Sequence, residues 1–310
     1  MVYSVYRGDF MNLEKLYTLH SFAFSYHWHN TACALVEDGI SHRMTGRETY
    51  DSIQVNVHRL ALAVCPDTDG KTAEKQFMHQ FICPLPLAVA AFSENSLENA
   101  VRLGASQLVL VNQGWYSLPW RLGENKNRLR VFDINRPDIT LKKGEMILGA
   151  NMPYISRLHL IAHNGNVADC LAAQPQFDKN KNSFVMLGAM PLFMDRDGFA
   201  AFMTGLADNL SGGSSVVFAY GDEDFYTQNA GPGAVFFRKL AQLENDSGYT
   251  YRQMEKLLSA SGFHIYEHLS PQQMHTEYLR NCEVINGIKL PACDNVNYVL
   301  AVKKHKKSTV

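Results

Sequence analysis

The residues best suited to hold a ligand cluster between positions 107 and 135. A short apolar run, QLVLVN (107–112), gives way to Gln113, Gly114, Trp115 and Tyr116, and a second run, LRVFDIN (129–135), carries Asp133 near its end. A glycine after an apolar strand lets the backbone approach a bound nucleotide-like group closely. A carboxylate at the end of the next strand, about twenty residues on, accepts from both hydroxyls of a ribose. The pair points to a nucleoside-type cofactor. Yet the turn holds one glycine, crowded by Asn112, Gln113, Trp115 and Tyr116. Two readings stay open, a cofactor site with an aromatic lining or the remnant of one. Plain packing of Trp115, Tyr116 and Trp120 over the sheet end stands beside both.

Other chemistries lack their motifs. The sequence contains no G-x-G-x-x-G, no phosphate-binding loop and no G-x-S-x-G elbow. His159 and His163 fall on a strand-like run without the glutamate that a zinc-protease helix needs, and His27 and His29 lack a third ligand at useful spacing. Six cysteines (Cys33, Cys65, Cys83, Cys170, Cys282, Cys293) form no CxxC or Cys/His cluster, so they read as free thiols of a reducing cytoplasm, and no metal is expected.

A formal net charge of -1 gives no electrostatic reason to expect nucleic acid, and the lysines from Lys303 to Lys307 read as a solvated tail. No uninterrupted stretch of roughly 20 apolar residues exists, so no membrane span is expected, and the first ten residues lack the order of a signal peptide. With 46% hydrophobic and 19% charged residues over 310 positions, the chain is globular and long enough for a large α/β core. Self-association into a homo-oligomer stays open.

The elements that must position these residues follow from periodicity. Residues 12–64 are helical in pattern, with Ile53, Val57, Leu60 and Val64 on one stripe, and PDTDG (66–70) is a turn. Pro84 and Pro86 argue against one straight helix there, and Ser93 reads as the N-cap of a helix that Gly104 closes. Strands are expected at 107–112, 129–135, 156–164, 182–190, 211–221, near HIYEHL, and finally at 297–304 as an edge strand. Helices fall between them over 195–210 and 250–263, and a helix or turn over 139–151. This alternation predicts a doubly wound, mostly parallel sheet. Residues 1–92 are expected as a helical N-terminal cap and 93–310 as the sheet domain, with 222–249 inserted as a lid or, equally, as a plain long connection. The lid, with Tyr220, Phe225 and Tyr226, and the cap, with Tyr26 and Trp28, would enclose an apolar or aromatic small molecule.

The segments GASQLVLVNQGWYSLPWRL, RVFDINRP with Lys142 or Lys143 close behind, and GGSSVVFAYG resemble the leucine carboxyl methyltransferase family and its bacterial relatives. The resemblance covers roughly residues 85–303. It implies a class I (Rossmann-like) methyltransferase fold with a seven-stranded α/β sheet, and S-adenosylmethionine as cofactor. Gly104 and Ala105 match the family's lead-in, Gly114 keeps the second glycine of its G-A-G turn, and Arg121 and Leu122 match the arginine-leucine pair after it. Asp133 matches the acid expected to hold the ribose, Pro137 matches the proline that follows, and Asn164 lies near the adenine-side position. Elsewhere the chain departs from the pattern. Asn112 and Gln113 replace glycine and alanine, Tyr116 an aspartate, Leu118 an arginine, Asn135 the second aspartate and Leu187 a glutamate; Leu192 falls on a tyrosine. Upstream, Val89, Ala90 and Ala91 stand in the place of an arginine-rich helix.

The cofactor site implied by the resemblance therefore comprises Asn112, Gly114, Trp115, Tyr116, Asp133, Asn164 and Leu187. The function implied is transfer of a methyl group to a carboxylate or other oxygen of a small molecule or peptide end. No catalytic base is identifiable, and a carboxylate acceptor needs none. The alternatives are a catalytically silent binding or partner protein that has lost normal cofactor binding, or another reaction on the same scaffold.

Overall fold

The computed structural model describes residues 13–36, 38–64, 66, 68–122, 128–163, 165–243 and 248–305. The chain opens with helices α1 (Leu13–Asn30), α2 (Ser41–Thr45), α3 (Arg47–Val64) and α4 (Gly70–Phe77), the last capped by Asp69, whose side chain accepts from the Lys71 and Thr72 amides. A π-helical turn (Met78–Ile82) leads into α5 (Pro84–Arg102). Both prolines sit in the first turn of α5, where the amides they lack would have no helical partner. They start a helix that was expected to be broken there. Ser93, expected as an N-cap, lies in the middle of α5, and the expected boundary between residues 92 and 93 falls inside it.

The sheet follows: β1 (Gln107–Val111), α6 (Leu118–Arg121), β2 (Arg130–Asn135), α7 (Pro137–Gly149), β3 (Leu158–Ala162), α8 (Val167–Ala172), β4 (Ser183–Gly188), a 3₁₀ turn (Met190–Phe193), α9 (Arg196–Asp208) and β5 (Ser215–Gly221). The remainder is α10 (Pro232–Ala241), α11 (Tyr251–Ala260), β6 (Phe263–Leu269), α12 (Pro271–Met274), a second π-helical turn (His275–Leu279), α13 (Arg280–Asn286) and β7 (Val296–Lys303). Thr250 and Ser270 start α11 and α12 through reciprocal capping boxes with Gln253 and Gln273.

The strand order is β3-β2-β1-β4-β5-β7-β6. The pairs β1–β2, β1–β4, β2–β3 and β4–β5 are parallel, and β7 runs antiparallel to both β5 and β6. This is the doubly wound, mostly parallel seven-stranded sheet of the class I methyltransferase fold. One detail corrects the reading above: β7 lies inside the sheet and β6 forms the edge. The physical reason is burial, since VNYVLAVK is nearly all covered, whereas FHIYEHL alternates in exposed polar residues.

Successive residues of each strand feed opposite faces. Leu108 and Leu110 join Phe184, Met186, Val217 and the aromatic residues of α1, α5 and α10, while Val109 and Val111 join Phe132, Val185, Phe199 and Leu258 on the other side. The cap thus shares a hydrophobic cluster with one face of the sheet. Because β2 and β3 are wound to one side of β1, and β4 and β5 to the other, a crevice opens at the carboxyl ends of β1 and β4.

Candidate functional site

A cavity of about 340 Å³ occupies that crevice, at the lower end of the range for small-molecule sites. Its floor comes from the end of β1 (Asn112, Gln113, Trp115, Tyr116) and the end of β4 (Met186, Leu187, Gly188). Helix α1 forms one wall through Leu13, Leu16, Tyr17, His20 and Phe24, and α5 another through Val89, Ala90 and Ser93. Arg136 and Phe193 complete the rim.

The turn after β1 is fixed by backbone geometry and polar contacts. Asn112 has a positive φ of 51°, and its carbonyl accepts from Tyr17 Oη at 2.7 Å. His163 Nδ1 accepts from the Gly165 amide, so Nε2 carries the proton and donates to Asn112 Oδ1 at 3.0 Å. Gly114 also has a positive φ (52°), and a Cβ there would meet the Tyr17 ring at 2.2 Å. Its amide donates to Asn135 Oδ1 at 3.0 Å. The glycine therefore permits both the chain reversal and the close seat of Tyr17, which also meets Trp115 edge-on. Trp115 Nε1 donates to Thr18 Oγ1 at 3.0 Å, which ties the turn to α1 a second time.

Tyr116 donates its hydroxyl to Glu94, which Arg121 grips with two nitrogens at 2.9 and 2.7 Å. Arg121 Nε also donates to Ser117 Oγ, whose hydroxyl donates to the buried carboxylate of Asp38. Burial, reinforced by Glu94, pushes the Tyr116 hydroxyl well above its ordinary pKa, so it remains a protonated donor. Burial raises Tyr17 likewise. His20 differs: it is half-buried at the cavity wall, and burial pulls its pKa down to about 4, leaving the ring neutral near pH 7.

Of the residues expected to form the site, Asn112, Trp115, Tyr116 and Leu187 line one cavity. Gly114 lies directly behind the lining, under Tyr17, and Asn164 falls outside the described residues. Asp133 is in a different position from the one expected. Its side chain is 0% exposed, paired to Lys143 Nζ at 2.5 Å and accepting from Asn135 Nδ2 at 2.7 Å, and it does not line the cavity. A buried carboxylate demands such a partner, and Lys143 reaches it from α7. The segment 222–249 supplies no described residue to the lining either. Phe225 is buried in the core, Tyr226 donates to the Leu192 carbonyl, and Phe236 packs on Phe77 and Phe81. Tyr26 and Trp28 are likewise absent from the lining. The covering role falls to α1. Sequence reasoning missed Tyr17, His20, Ser93 and Arg136. The 13, 16, 17, 20, 24 spacing on α1 was the available signal, since those positions share one helical face.

S-adenosylmethionine needs a partner for its amino-acid carboxylate, a surface that tolerates its sulfonium, and polar groups for its ribose. Among the described lining residues, Arg136 carries a positive charge, and Tyr17, Trp115, Tyr116 and Phe24 offer aromatic rings. Gln113, Asn112 and Ser93 offer amides and a hydroxyl. The site fits the cofactor through these groups, with no ribose-binding carboxylate among them. Val89 and Ala90, in the place of the family's arginine helix, do line the cavity. Among the described residues, no group of three His, Cys, Asp or Glu side chains is placed to hold a metal ion, and no helix is long and apolar enough to cross a membrane.

The chain is 27% identical over 299 residues to YktD of Bacillus subtilis (strain 168), named as an S-adenosyl-L-methionine-dependent methyltransferase; the match covers 92% of this chain and 96% of YktD. Among solved structures it is similar to a protein of Thermobifida fusca named as a methyltransferase, with 14% identity and a TM-score of 0.49, covering 80% of this chain and 93% of the other. It is also similar to an O-methyltransferase family protein from Burkholderia thailandensis, with 11% identity and a TM-score of 0.47, covering 90% of this chain and 76% of the other. The family model for leucine carboxyl methyltransferase matches residues 22–207, from inside α1 to the end of α9. That match spans the floor of the cavity, its α5 wall and more than half of the sequence, with Phe24 the one α1 lining residue inside it, and by it this chain belongs to the leucine carboxyl methyltransferase family of S-adenosylmethionine-dependent methyltransferases.

Proposed function

We propose that this chain is an S-adenosylmethionine-dependent O-methyltransferase acting on an oxygen, carboxylate or hydroxyl, of a small molecule or peptide end. The observation that carries this reading is the cavity at the carboxyl ends of β1 and β4, walled by aromatic side chains and closed by α1. When bound, the cofactor supplies an activated methyl group, so the protein's work is alignment and exclusion of water. Arg136 is the partner for the cofactor's carboxylate, Gln113 and Ser93 are polar contacts for its amino or ribose groups, and Tyr17 and Trp115 provide aromatic surface for the sulfonium. Phe24 and Leu16 on α1 keep the acceptor side apolar, which suits a small organic acceptor better than a charged polymer.

A second reading, a ligand-binding relative without methyl transfer, draws on Asp133 being held by Lys143 and on Tyr17 filling the space over Gly114. Titration calorimetry with S-adenosylmethionine and S-adenosylhomocysteine separates the two. Micromolar binding that weakens in Arg136→Gln supports the enzyme. A folded protein that gives no heat at millimolar ligand leaves the binding-protein reading in its place.

A further inference from the structure

The polar groups of the cavity are nearly all committed to the protein. Tyr17 donates to the Asn112 carbonyl, Tyr116 to Glu94, and Trp115 to Thr18. Ser21 accepts from Thr45 at 3.0 Å, and Asn112 Oδ1 accepts from His163. His20 is the exception among the titratable groups. It lies three residues after Tyr17 and four before Phe24, on the helical face that walls the cavity, and its ring nitrogens have no hydrogen-bond partner among the described residues. A polar ring on the cavity wall, with no partner among the described residues, is placed to receive a hydrogen bond from a ligand.

We propose that His20 accepts the proton of the methyl acceptor, and that the acceptor group is therefore the hydroxyl of an apolar or aromatic small molecule, a phenol or alcohol, rather than a carboxylate. This rests on the methyltransferase reading. A carboxylate acceptor needs no base and would favour a cation beside it, and the lining's guanidinium, Arg136, is assigned to the cofactor's own carboxylate. A hydroxyl has the opposite needs. Its oxygen forms a bond to the methyl carbon as the carbon–sulfur bond breaks and that electron pair stays on sulfur. The O–H proton passes to His20, so the positive charge that began on sulfur ends on the imidazolium, and the proton then leaves to solvent. Burial holds the ring neutral beforehand. Its weak basicity is no obstacle, because a hydroxyl oxygen gaining a carbon bond becomes far more acidic than an imidazolium.

The test uses the full chain, 4-nitrophenol as an acceptor mimic, benzoate as the carboxylate control, and S-adenosylhomocysteine. In buffer below the nitrophenol pKa, where the phenol keeps its proton and His20 is neutral, the wild-type complex with S-adenosylhomocysteine should bind nitrophenol through the O–H that it donates to His20. His20→Phe should weaken that binding about tenfold or more while S-adenosylhomocysteine affinity changes by less than about threefold. With an identified hydroxyl substrate, His20→Gln should slow methyl transfer on the order of 10²–10⁴-fold. A wild-type protein that binds S-adenosylhomocysteine but holds nitrophenol no more tightly than His20→Phe does, or that binds benzoate more tightly than nitrophenol, overturns the assignment of His20 alone. A folded wild type with no affinity for S-adenosylhomocysteine overturns the methyltransferase reading and the proton-acceptor role with it.

Discussion

Acidification should destabilise this protein through the histidine pair that ties α1 to the π-helical turn before α5. His79 Nδ1 donates to the Lys75 carbonyl at 2.9 Å, which leaves its Nε2 bare. His27 Nδ1 donates into that Nε2 at 3.3 Å, and His27 Nε2 accepts from the Leu35 amide at 3.2 Å. With one proton on each ring every nitrogen is satisfied; a third proton would set two N–H groups against each other. Burial, with His79 adding to it, pulls His27 from 6.5 down to about 3, and burial pulls His79 from 6.5 down to about 4. Both folded values lie below the unfolded one, so the unfolded chain binds more protons on descent from pH 6.5. The contribution is complete above that pH and is lost as the pH falls toward the folded values. At about pH 5 each ring has lost ~2 kcal/mol, or ~4 kcal/mol for the pair as a ceiling. Urea unfolding of the wild type and of His79→Gln at about pH 7.5 and about pH 5 should show the variant losing ~2 kcal/mol less on acidification. Titrations elsewhere, including that of His20, cancel in this comparison. Equal losses in the two proteins would refute the linkage.

Gly114→Ala should lower stability by at least ~2 kcal/mol, from left-handed strain plus the contact with Tyr17, and Tyr17→Ala in the same chain should restore part of it in thermal melts. Lys143→Met should cost ~3–5 kcal/mol by stranding Asp133 in the interior, and the double variant with Asp133→Asn should recover most of that loss. Asp133→Asn should leave S-adenosylhomocysteine affinity of the folded protein within about threefold, as calorimetry would show; a loss beyond about tenfold would return Asp133 to the ribose. Phe225→Ala should cost ~3–5 kcal/mol, so trimming residues 223–235 to a glycine linker should melt the protein rather than open the cavity.

The sheet was legible because its inner strands are short apolar runs bounded by turns. QLVLV, VFDI and FVML each fall within an expected strand and are buried on both faces. The turn at Gly114 was legible too, since the residue type itself states the backbone requirement. Asp133 was not. A strand-end carboxylate looks the same in sequence whether it meets a ribose or a lysine, and Lys143 sits ten residues away on α7. Pro84 and Pro86 misled for a related reason: a proline breaks a helix interior but starts a first turn, and the difference lies in where the preceding π-helical turn ends. The cavity wall on α1 was the largest omission. Its face is a regular helical stripe, and nothing local distinguishes a stripe that meets a core from one that meets a ligand.

The floor and the wall of the cavity are free to change to different degrees. At the floor, Asn112 and Gly188 hold left-handed backbone, and a side chain on Gly188 would strike the Gln113 amide at 2.8 Å. Few residue types satisfy those positions, whatever the ligand. On α1 the backbone is ordinary helix, so Leu13, Leu16, His20 and Phe24 can be exchanged without altering the path of the chain. Acceptor preference in this scaffold can therefore diverge through one helix while the sheet end stays fixed. A library confined to those four positions would be the shortest experimental route to a new acceptor.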